Sequence, residues 1–187
     1  MTPLLTPDGL LILDLDETLV HTKEHSLGRK ADFRLGELHI YKRPYVDQFV
    51  TDMSGLFQLA VWSAGSADYV DFTVAQLLPK ALTPVFVWSR RRCTYRFNHE
   101  TGEECNLKAL KKVKRKGYKL SRVLIVEDTP ANVARNYGNA IYVKPFEGDQ
   151  ADDELLHLCR YLRSIADCPD FLRLEKRNWR EVSANGN

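Results

Sequence analysis

The stretch from Leu10 to His21, which reads L-L-I-L-D-L-D-E-T-L-V-H, constrains the fold of this chain more than any other. Its four apolar residues, Leu10 to Leu13, run directly into Asp14, and Asp16 follows two positions later. A short unbroken apolar run bounded by polar residues is typical of a strand that is buried on both faces. Because ligands bind beyond the carboxyl ends of strands in parallel α/β sheets, the two aspartates are predicted to face a ligand crevice.

Two carboxylates at positions i and i+2 repel each other, and the pattern has two interpretations. A hard divalent cation with oxygen ligands relieves the repulsion, and Thr18 adds a hydroxyl to such a site. A strand that simply ends in an acidic turn has the same spacing, because Asp is common in turns. The spacing alone leaves both open.

Length and composition limit the class of protein. With 187 residues, of which 44% are hydrophobic and 28% charged, the chain is expected to form one soluble domain over residues 1–187. Its core is predicted at about 8–166, with a frayed tail at 168–187. No apolar segment approaches the length of a membrane span, and the N-terminus lacks a signal-peptide pattern. We expect a cytoplasmic protein, or a nuclear one in a eukaryote, and favour a monomer.

The four cysteines fit a reducing compartment. Their spacing matches neither a zinc ribbon nor a C-x-x-C redox motif, so free thiols are predicted. A pairing of Cys93 with Cys105 across a hairpin is the alternative.

Positive charge is concentrated in one part of the chain. Residues 88–122 contain 12 Lys and Arg against 3 Glu, although the net charge of the whole chain is only +2. Such a stretch attracts phosphate, acidic peptide or nucleic acid. A solvated helix face with an adjoining loop explains it equally well.

Apolar runs that alternate with helical patterns predict an α/β fold with a doubly wound, Rossmann-like, mostly parallel sheet of five strands. The strands are predicted at 10–13, 56–64, 85–88, 122–126 and 139–143. The helices are predicted at 44–55, 67–78 with Ser66 as N-cap, 107–116, 131–136 and 152–165. Residues 21–30 are predicted as a loop, and 32–41 and 90–104 as hairpin insertions, the latter with its turn at 98–102.

Three predicted strands end in polar residues of complementary chemistry, and a basic helix between the second and the fourth strand adds a lysine. The residues are Asp14 and Asp16, Ser63, Glu127 and Asp128, and Lys108. A carboxylate nucleophile, a second carboxylate, a hydroxyl, an amine and an acidic metal-binding pair make up a phosphotransfer site. An acidic cation site without chemistry is the alternative.

The order of these motifs resembles the haloacid dehalogenase superfamily of phosphotransferases. D-L-D-E-T-L-V-H at 14–21 resembles its first motif. Many members carry Gly at the position of Glu17. A Glu there resembles the pattern of the branch of C-terminal-domain phosphatases and NLI-interacting-factor-like phosphatases. V-W-S-A-G-S at 61–66, followed by Tyr69, resembles the second motif, and K-R-P at 42–44 resembles the start of that branch's helix. I-V-E-D-T-P at 125–130 resembles the fourth motif, although the branch more often has Asp then Asn. The resemblance covers residues 10 to about 162.

The third motif is the weakest match. Family members place a Lys before Asp-Leu, and N-L-K-A-L at 106–110 offers Lys108. Lys111 and Lys112 compete for the same role.

The resemblance implies a Mg²⁺-dependent phosphatase that works through an aspartyl-phosphate. Asp14 is the expected nucleophile, and Asp16 the expected general acid and base. The expected Mg²⁺ ligands are Asp14, Asp16, with its backbone carbonyl, and Asp128. The expected phosphate-binding residues are Ser63, Ala64 and Lys108. Glu127 is expected to orient Lys108 or a metal-bound water, and Thr18 to steady the loop.

The substrate is expected to be macromolecular. The chain has room for small hairpins but not for a large cap domain, and an open cleft suits a phosphorylated macromolecule. The resemblance favours phosphoserine or phosphothreonine in a peptide, and the basic stretch allows a nucleic-acid 3′-phosphate. Tyr95 and Phe97 lie among arginines, where they can stack on a base or proline or simply pack the hairpin. A scaffold with weak catalysis is a further alternative, which the presence of both aspartates disfavours.

Overall fold

The structure is a computed structural model that describes residues 7–97 and 104–185. In chain order its strands are β1 (Leu10–Leu13), β2 (Val20–Lys23), β3 (Phe33–Leu35), β4 (Leu38–Lys42), β5 (Gln58–Trp62), β6 (Val87–Trp88), β7 (Thr94–Phe97), β8 (Glu104–Leu107), β9 (Val123–Glu127) and β10 (Ala140–Tyr142). Its α-helices are α1 (Val46–Ser54), α2 (Ala67–Leu77), α3 (Lys111–Lys114), α4 (Glu154–Ile165) and α5 (Trp179–Asn185). Short 3-10 segments lie at Arg90–Arg92, Leu120–Arg122, Pro130–Asn139 and Phe171–Arg173.

The five predicted strands form one sheet in the order β10-β9-β1-β5-β6, and each neighbouring pair is parallel. Successive side chains of β1 point to opposite faces, so Leu11 and Leu13 enter one apolar cluster while Leu10 and Ile12 enter another. The first cluster packs against α1, α2, α4 and α5, and the second against α3 and the 3-10 segment at Pro130–Asn139. The sheet is therefore covered on both faces, as the doubly wound prediction requires.

A small antiparallel sheet in the order β2-β4-β3 follows the first strand. The predicted hairpin at 32–41 is confirmed by the pairing of β3 with β4. The predicted loop at 21–30 is wrong for its first residues, because β2 pairs with β4 from Val20 opposite Lys42 to Lys23 opposite His39. Backbone pairing at a polar edge leaves no apolar signal in the sequence, which is why β2 was not predicted.

The second hairpin consists of β7 and β8, which pair from Thr94 opposite Leu107 to Phe97 opposite Glu104. The predicted turn at 98–102 lies outside the described residues. The basic helix predicted at 107–116 is wrong in its extent. Leu107 belongs to β8 and the Lys108 amide donates to the Asn132 carbonyl, so the helical turn begins only after Leu110.

One predicted helix start, one predicted side-chain cap and one predicted helix are corrected. Pro44 does not open α1, because Tyr45 has a left-handed backbone (φ 66°) and the helix begins at Val46. Ser66 precedes α2 as predicted, but its side chain makes no capping hydrogen bond. The segment predicted as a helix at 131–136 consists of 3-10 turns with non-helical backbone at Val133 and Asn136.

The prediction of a frayed tail at 168–187 is wrong for the part of this segment that the structure describes. Phe171 is fully buried and Trp179 is 4% exposed, and both belong to the cluster that packs on the sheet. The Trp179 indole donates a hydrogen bond of 2.7 Å to the Tyr142 carbonyl, and α5 packs along α4. The described chain therefore continues its core beyond residue 166.

Within residues 7–97 and 104–185, no helix combines the length and apolar character that a membrane crossing requires.

The four cysteines are free thiols, so the alternative pairing of Cys93 with Cys105 is wrong.

Candidate active site

The site lies at the carboxyl edge of the parallel sheet, where three neighbouring strands end. Leu13 is in register with Val61 of β5 and with Val126 of β9. The next residues, Asp14 and Glu127, therefore lie side by side, and Ser63 follows β5 directly. This register explains why polar residues distant in sequence meet at one point.

Lys108 joins the first and fourth motifs. Its Nζ lies 2.6 Å from Asp14 Oδ1 and 2.6 Å from Glu127 Oε2, and its side chain is completely buried. Asp14 and Glu127 each lie two positions after a strand residue, Ile12 or Ile125, that points toward α3, so their side chains lie on that same face of the sheet. The segment with Lys108 crosses this face. Lys111 is exposed, and the Lys112 ammonium donates to the Arg92 carbonyl instead. Of the three candidate lysines, Lys108 is the one that enters the site.

Asn132, which sequence reasoning missed, binds both Lys108 and Glu127. Its Nδ2 donates to Glu127 Oε1 at 3.1 Å, and its carbonyl accepts from the Lys108 amide at 2.6 Å. The Thr129 amide also donates to Glu127 Oε1. The extra methylene of Glu127, compared with the Asp more common in the branch, allows one oxygen to contact the lysine and the other to contact this loop.

Burial and charge act in opposite directions on the paired groups. Burial raises the pKa of Asp14 well above its usual value, while the Lys108 ammonium acts to lower it. Burial would lower the pKa of Lys108, but Asp14 and Glu127 together raise it above its usual value. Lys108 is therefore a fixed positive charge beside the carboxylate at the end of β1.

Asp16 faces away from this ion pair, toward α2. Its Oδ1 accepts a hydrogen bond of 2.5 Å from the Tyr69 hydroxyl, and its Oδ2 accepts one of 3.2 Å from Ser63 Oγ. Burial raises the pKa of Asp16, against the lowering effect of these two donors. Burial and the Asp16 charge raise the pKa of Tyr69 far above its usual value, so the phenol stays a donor. The sequence indicated Tyr69 only through the match to the second motif, without a role of its own.

The Ser63–Gly65 loop is held from both sides. The Ser63 amide donates to the Trp88 carbonyl, and the Gly65 amide donates to Ser63 Oγ at 2.8 Å. The Ala64 carbonyl accepts a hydrogen bond of 2.6 Å from Arg90 Nε. A Cβ on Gly65 would lie 2.7 Å from the Tyr69 ring, so only glycine permits this close approach. Of the predicted phosphate-binding residues, Ser63 therefore contacts Asp16, and Ala64 follows it in the same loop.

Asp14, Glu127 and Asp128 place carboxylate oxygens within 4.8 Å of one another. Asp128 accepts hydrogen bonds from the hydroxyls of Thr18 at 3.3 Å and Thr129 at 3.0 Å, which fix its orientation. The side chain of Asp16 is not part of this group, so a ligand from Asp16 has to be its backbone carbonyl. An all-oxygen anionic donor set suits a hard divalent cation such as Mg²⁺, and Lys108 already compensates part of the charge.

The sequence of this chain is similar to those of known phosphatases. The family model described as NLI interacting factor-like phosphatase matches residues 9–172. The human CTD small phosphatase-like protein is 31% identical over 165 residues, which cover 83% of this chain and 55% of the relative. The Drosophila melanogaster phosphatase Herzog is 32% identical over 157 residues, which cover 79% of this chain and 41% of that protein. The chain thus spans about half the length of the curated relatives it matches.

Among solved structures, Fcp1, an RNA polymerase II CTD phosphatase, aligns with a TM-score of 0.59 at 17% identity. The alignment covers 94% of this chain and 61% of the Fcp1 chain. At this identity the likeness bears on the fold alone.

Proposed function

The chain belongs to the NLI interacting factor-like phosphatase family, in the haloacid dehalogenase superfamily, and from this premise we propose that it hydrolyses phosphomonoesters. The proposed substrate is phosphoserine or phosphothreonine in a protein, and the proposed intermediate is a phosphoryl group on Asp14. The family membership rests on residues 9–172, which include each residue assigned a role below.

The observation that carries this proposal is the contact between Asp14 and Lys108. A nucleophilic carboxylate must approach a phosphoryl group that is itself negatively charged. The buried ammonium lies 2.6 Å from the carboxylate, where it can also bind the phosphoryl oxygens as charge spreads over them. A purely structural ion pair would not need to lie at the carboxyl edge of the sheet, where ligands bind.

The reaction consists of two displacements at phosphorus. An Asp14 oxygen attacks phosphorus, the bond from phosphorus to the ester oxygen breaks, and Asp16 gives its proton to the departing oxygen. Water then attacks the phosphorus of the acyl phosphate and loses a proton to Asp16. Inorganic phosphate leaves with Asp14 restored, so each turnover consumes one water and releases one alcohol.

The carboxylate group at the sheet edge fits Mg²⁺. Asp14 and Asp128 would hold the ion through their side chains, and Asp16 through its backbone carbonyl. When bound, such an ion offsets the repulsion between the nucleophile and the phosphoryl group by several kcal/mol. Glu127 is occupied by Lys108 and Asn132, so we assign to it the orientation of the lysine.

The choice of a protein substrate is supported by what surrounds the cleft. Between the first and second motifs the described chain contains the three-stranded β2-β4-β3 sheet and α1, which are too small to form a cap over the site. Two curated relatives are named as phosphatases of the RNA polymerase II carboxy-terminal domain. We therefore propose an extended phosphopeptide as substrate.

The test is a parallel assay with Mg²⁺ on an aryl phosphate, a phosphoserine peptide and a 3′-phosphorylated oligonucleotide. Asp14→Asn serves as the control, because it keeps the side-chain shape while removing the nucleophile. We expect the wild-type protein to hydrolyse the peptide in preference to the other two substrates, and Asp14→Asn to lose this activity. Preference for the oligonucleotide would indicate a nucleic-acid 3′-phosphatase, and inactivity on all three would indicate a scaffold.

A further inference from the structure

We propose that Tyr69 is a positioning residue that fixes Asp16 through Oδ1 and so presents Oδ2 to the leaving group of the substrate. This inference deepens the proposed function and rests on it. It assigns a role in proton transfer to a residue of α2 whose hydroxyl binds Asp16.

The two oxygens of Asp16 have different partners. The Tyr69 hydroxyl is 2.5 Å from Oδ1, and Ser63 Oγ is 3.2 Å from Oδ2. Ser63 is the proposed phosphate-binding hydroxyl, so Oδ2 lies on the side from which a phosphoryl group is bound. Oδ2 is therefore the oxygen placed to pass a proton to the leaving group.

Substrate binding makes Tyr69 the more important of the two donors. A serine hydroxyl has one proton to donate, and a phosphoryl oxygen bound at Ser63 competes with Asp16 for it. The Tyr69 hydroxyl then remains as a side-chain donor to Asp16 in the part of the chain that the structure describes. Without it, Asp16 can rotate about its side-chain torsions, and a proton donor out of place loses much of its effect.

Tyr69 is itself fixed on two sides. Thr22 Oγ1 lies 2.7 Å from the Tyr69 oxygen, and since Tyr69 gives its proton to Asp16, Thr22 donates to Tyr69. The residue is 7% exposed, and its ring packs against Gly65, where a Cβ would lie 2.7 Å from the Tyr69 Cδ1 atom. A chain of three hydroxyl or carboxyl groups thus runs from β2 through α2 to Asp16.

The experiment measures kcat/KM of Tyr69→Phe with substrates whose leaving groups differ in their need for a proton. This ratio covers the steps up to departure of the alcohol, so the later hydrolysis of the intermediate does not enter it. For phenyl phosphate and the phosphoserine peptide, whose leaving groups need protonation, we expect kcat/KM to fall about tenfold. This loss is a part of the rate enhancement that general acid catalysis contributes. For p-nitrophenyl phosphate, whose phenolate leaves readily, we expect a loss below about twofold.

Two further variants test whether the hydroxyl acts through Asp16. Thr22→Val removes the outer hydrogen bond and is expected to show the same leaving-group dependence with a smaller loss. Tyr118→Phe is the matched control, because its hydroxyl contacts Gln58 at the opposite end of β5. It is expected to match the wild type on every substrate.

An equal loss of kcat/KM on all substrates, or no loss, would overturn the role of Tyr69 while the proposed function stands. Wild-type inactivity on every phosphate ester, or full activity in Asp14→Asn, would overturn the proposed function and this inference with it. Circular dichroism and the unfolding midpoint of Tyr69→Phe, expected to match the wild type closely, exclude misfolding as the cause of a loss.

Discussion

Arg43 and Asp152 form a buried bidentate ion pair between residues 109 positions apart in the chain. The two hydrogen bonds measure 2.8 and 2.9 Å. The same guanidinium donates to the carbonyls of Thr18 at 3.0 Å and Lys144 at 2.8 Å. Arg43 thereby holds the loop that follows Asp14 against the segment that follows β10, so the pair connects fold stability with the position of the proposed nucleophile.

Asp152→Asn is expected to lower the free energy of unfolding by about 3 kcal/mol, because the buried guanidinium loses its counter-charge. Denaturant unfolding followed by circular dichroism measures this difference. Glu175→Gln is the matched control. It breaks the exposed pair of Glu175 with Arg177 and is expected to leave the stability nearly unchanged. Equal effects of the two substitutions would contradict a special role for the buried pair.

Lys108→Met is expected to lower kcat/KM by at least about 10²-fold, because the phosphoryl oxygens lose their fixed positive charge. Lys111→Met removes an exposed charge three residues further along the chain and is expected to stay within about twofold of the wild type. Steady-state kinetics on an aryl phosphate measure both variants. If Lys111→Met were the more damaging of the two, the assignment of the third-motif lysine would be wrong.

The strand ends of the site could be predicted from the sequence, because apolar runs mark buried strands and parallel strands share a carboxyl edge. Asp14, Ser63 and Glu127 follow such runs and meet as expected. Tyr69 could not be assigned to the site, because its position on α2 has the same spacing as the apolar residues of that helix. Asn132 lies in a 3-10 segment, where no periodicity indicates which way a side chain points.

The fold was least predictable where long-range packing overrides local composition. The basic residues after Leu107 favour a helix by propensity, yet pairing with β7 and the hydrogen bond from Lys108 to Asn132 delay its start. The helix predicted at 152–165 is confirmed by α4, but the segment beyond Cys168 was not predicted to pack. Its apolar residues are few and widely spaced, and their burial depends on a groove that other elements form.

Mg²⁺ is expected to raise the unfolding temperature of the wild-type protein, since an ion that binds only the folded state stabilises it by mass action. Asp128→Asn is expected to weaken this stabilisation, because a neutral amide replaces an anionic ligand. Asp16→Asn is expected to retain it, because its side chain contacts Tyr69 and Ser63 and is not among the clustered carboxylates. Differential scanning fluorimetry over a Mg²⁺ titration compares the three proteins. Loss of the stabilisation in Asp16→Asn would place that side chain on the ion.

Trp179→Ala is expected to destabilise the protein by about 3–5 kcal/mol, the usual cost of removing a buried large aromatic side chain. The indole is 4% exposed, its ring centroid lies 6.0 Å from that of Tyr161, and its Nε1 donates to the Tyr142 carbonyl. Val182→Ala, on the same helix but 52% exposed, is the matched control and is expected to change stability by no more than about 0.5 kcal/mol. Both are measured by denaturant unfolding. A Trp179→Ala protein as stable as the control would mean that α5 does not pack on α4 in solution, whereas the expected loss extends the folded core from β10 to the C-terminal helix.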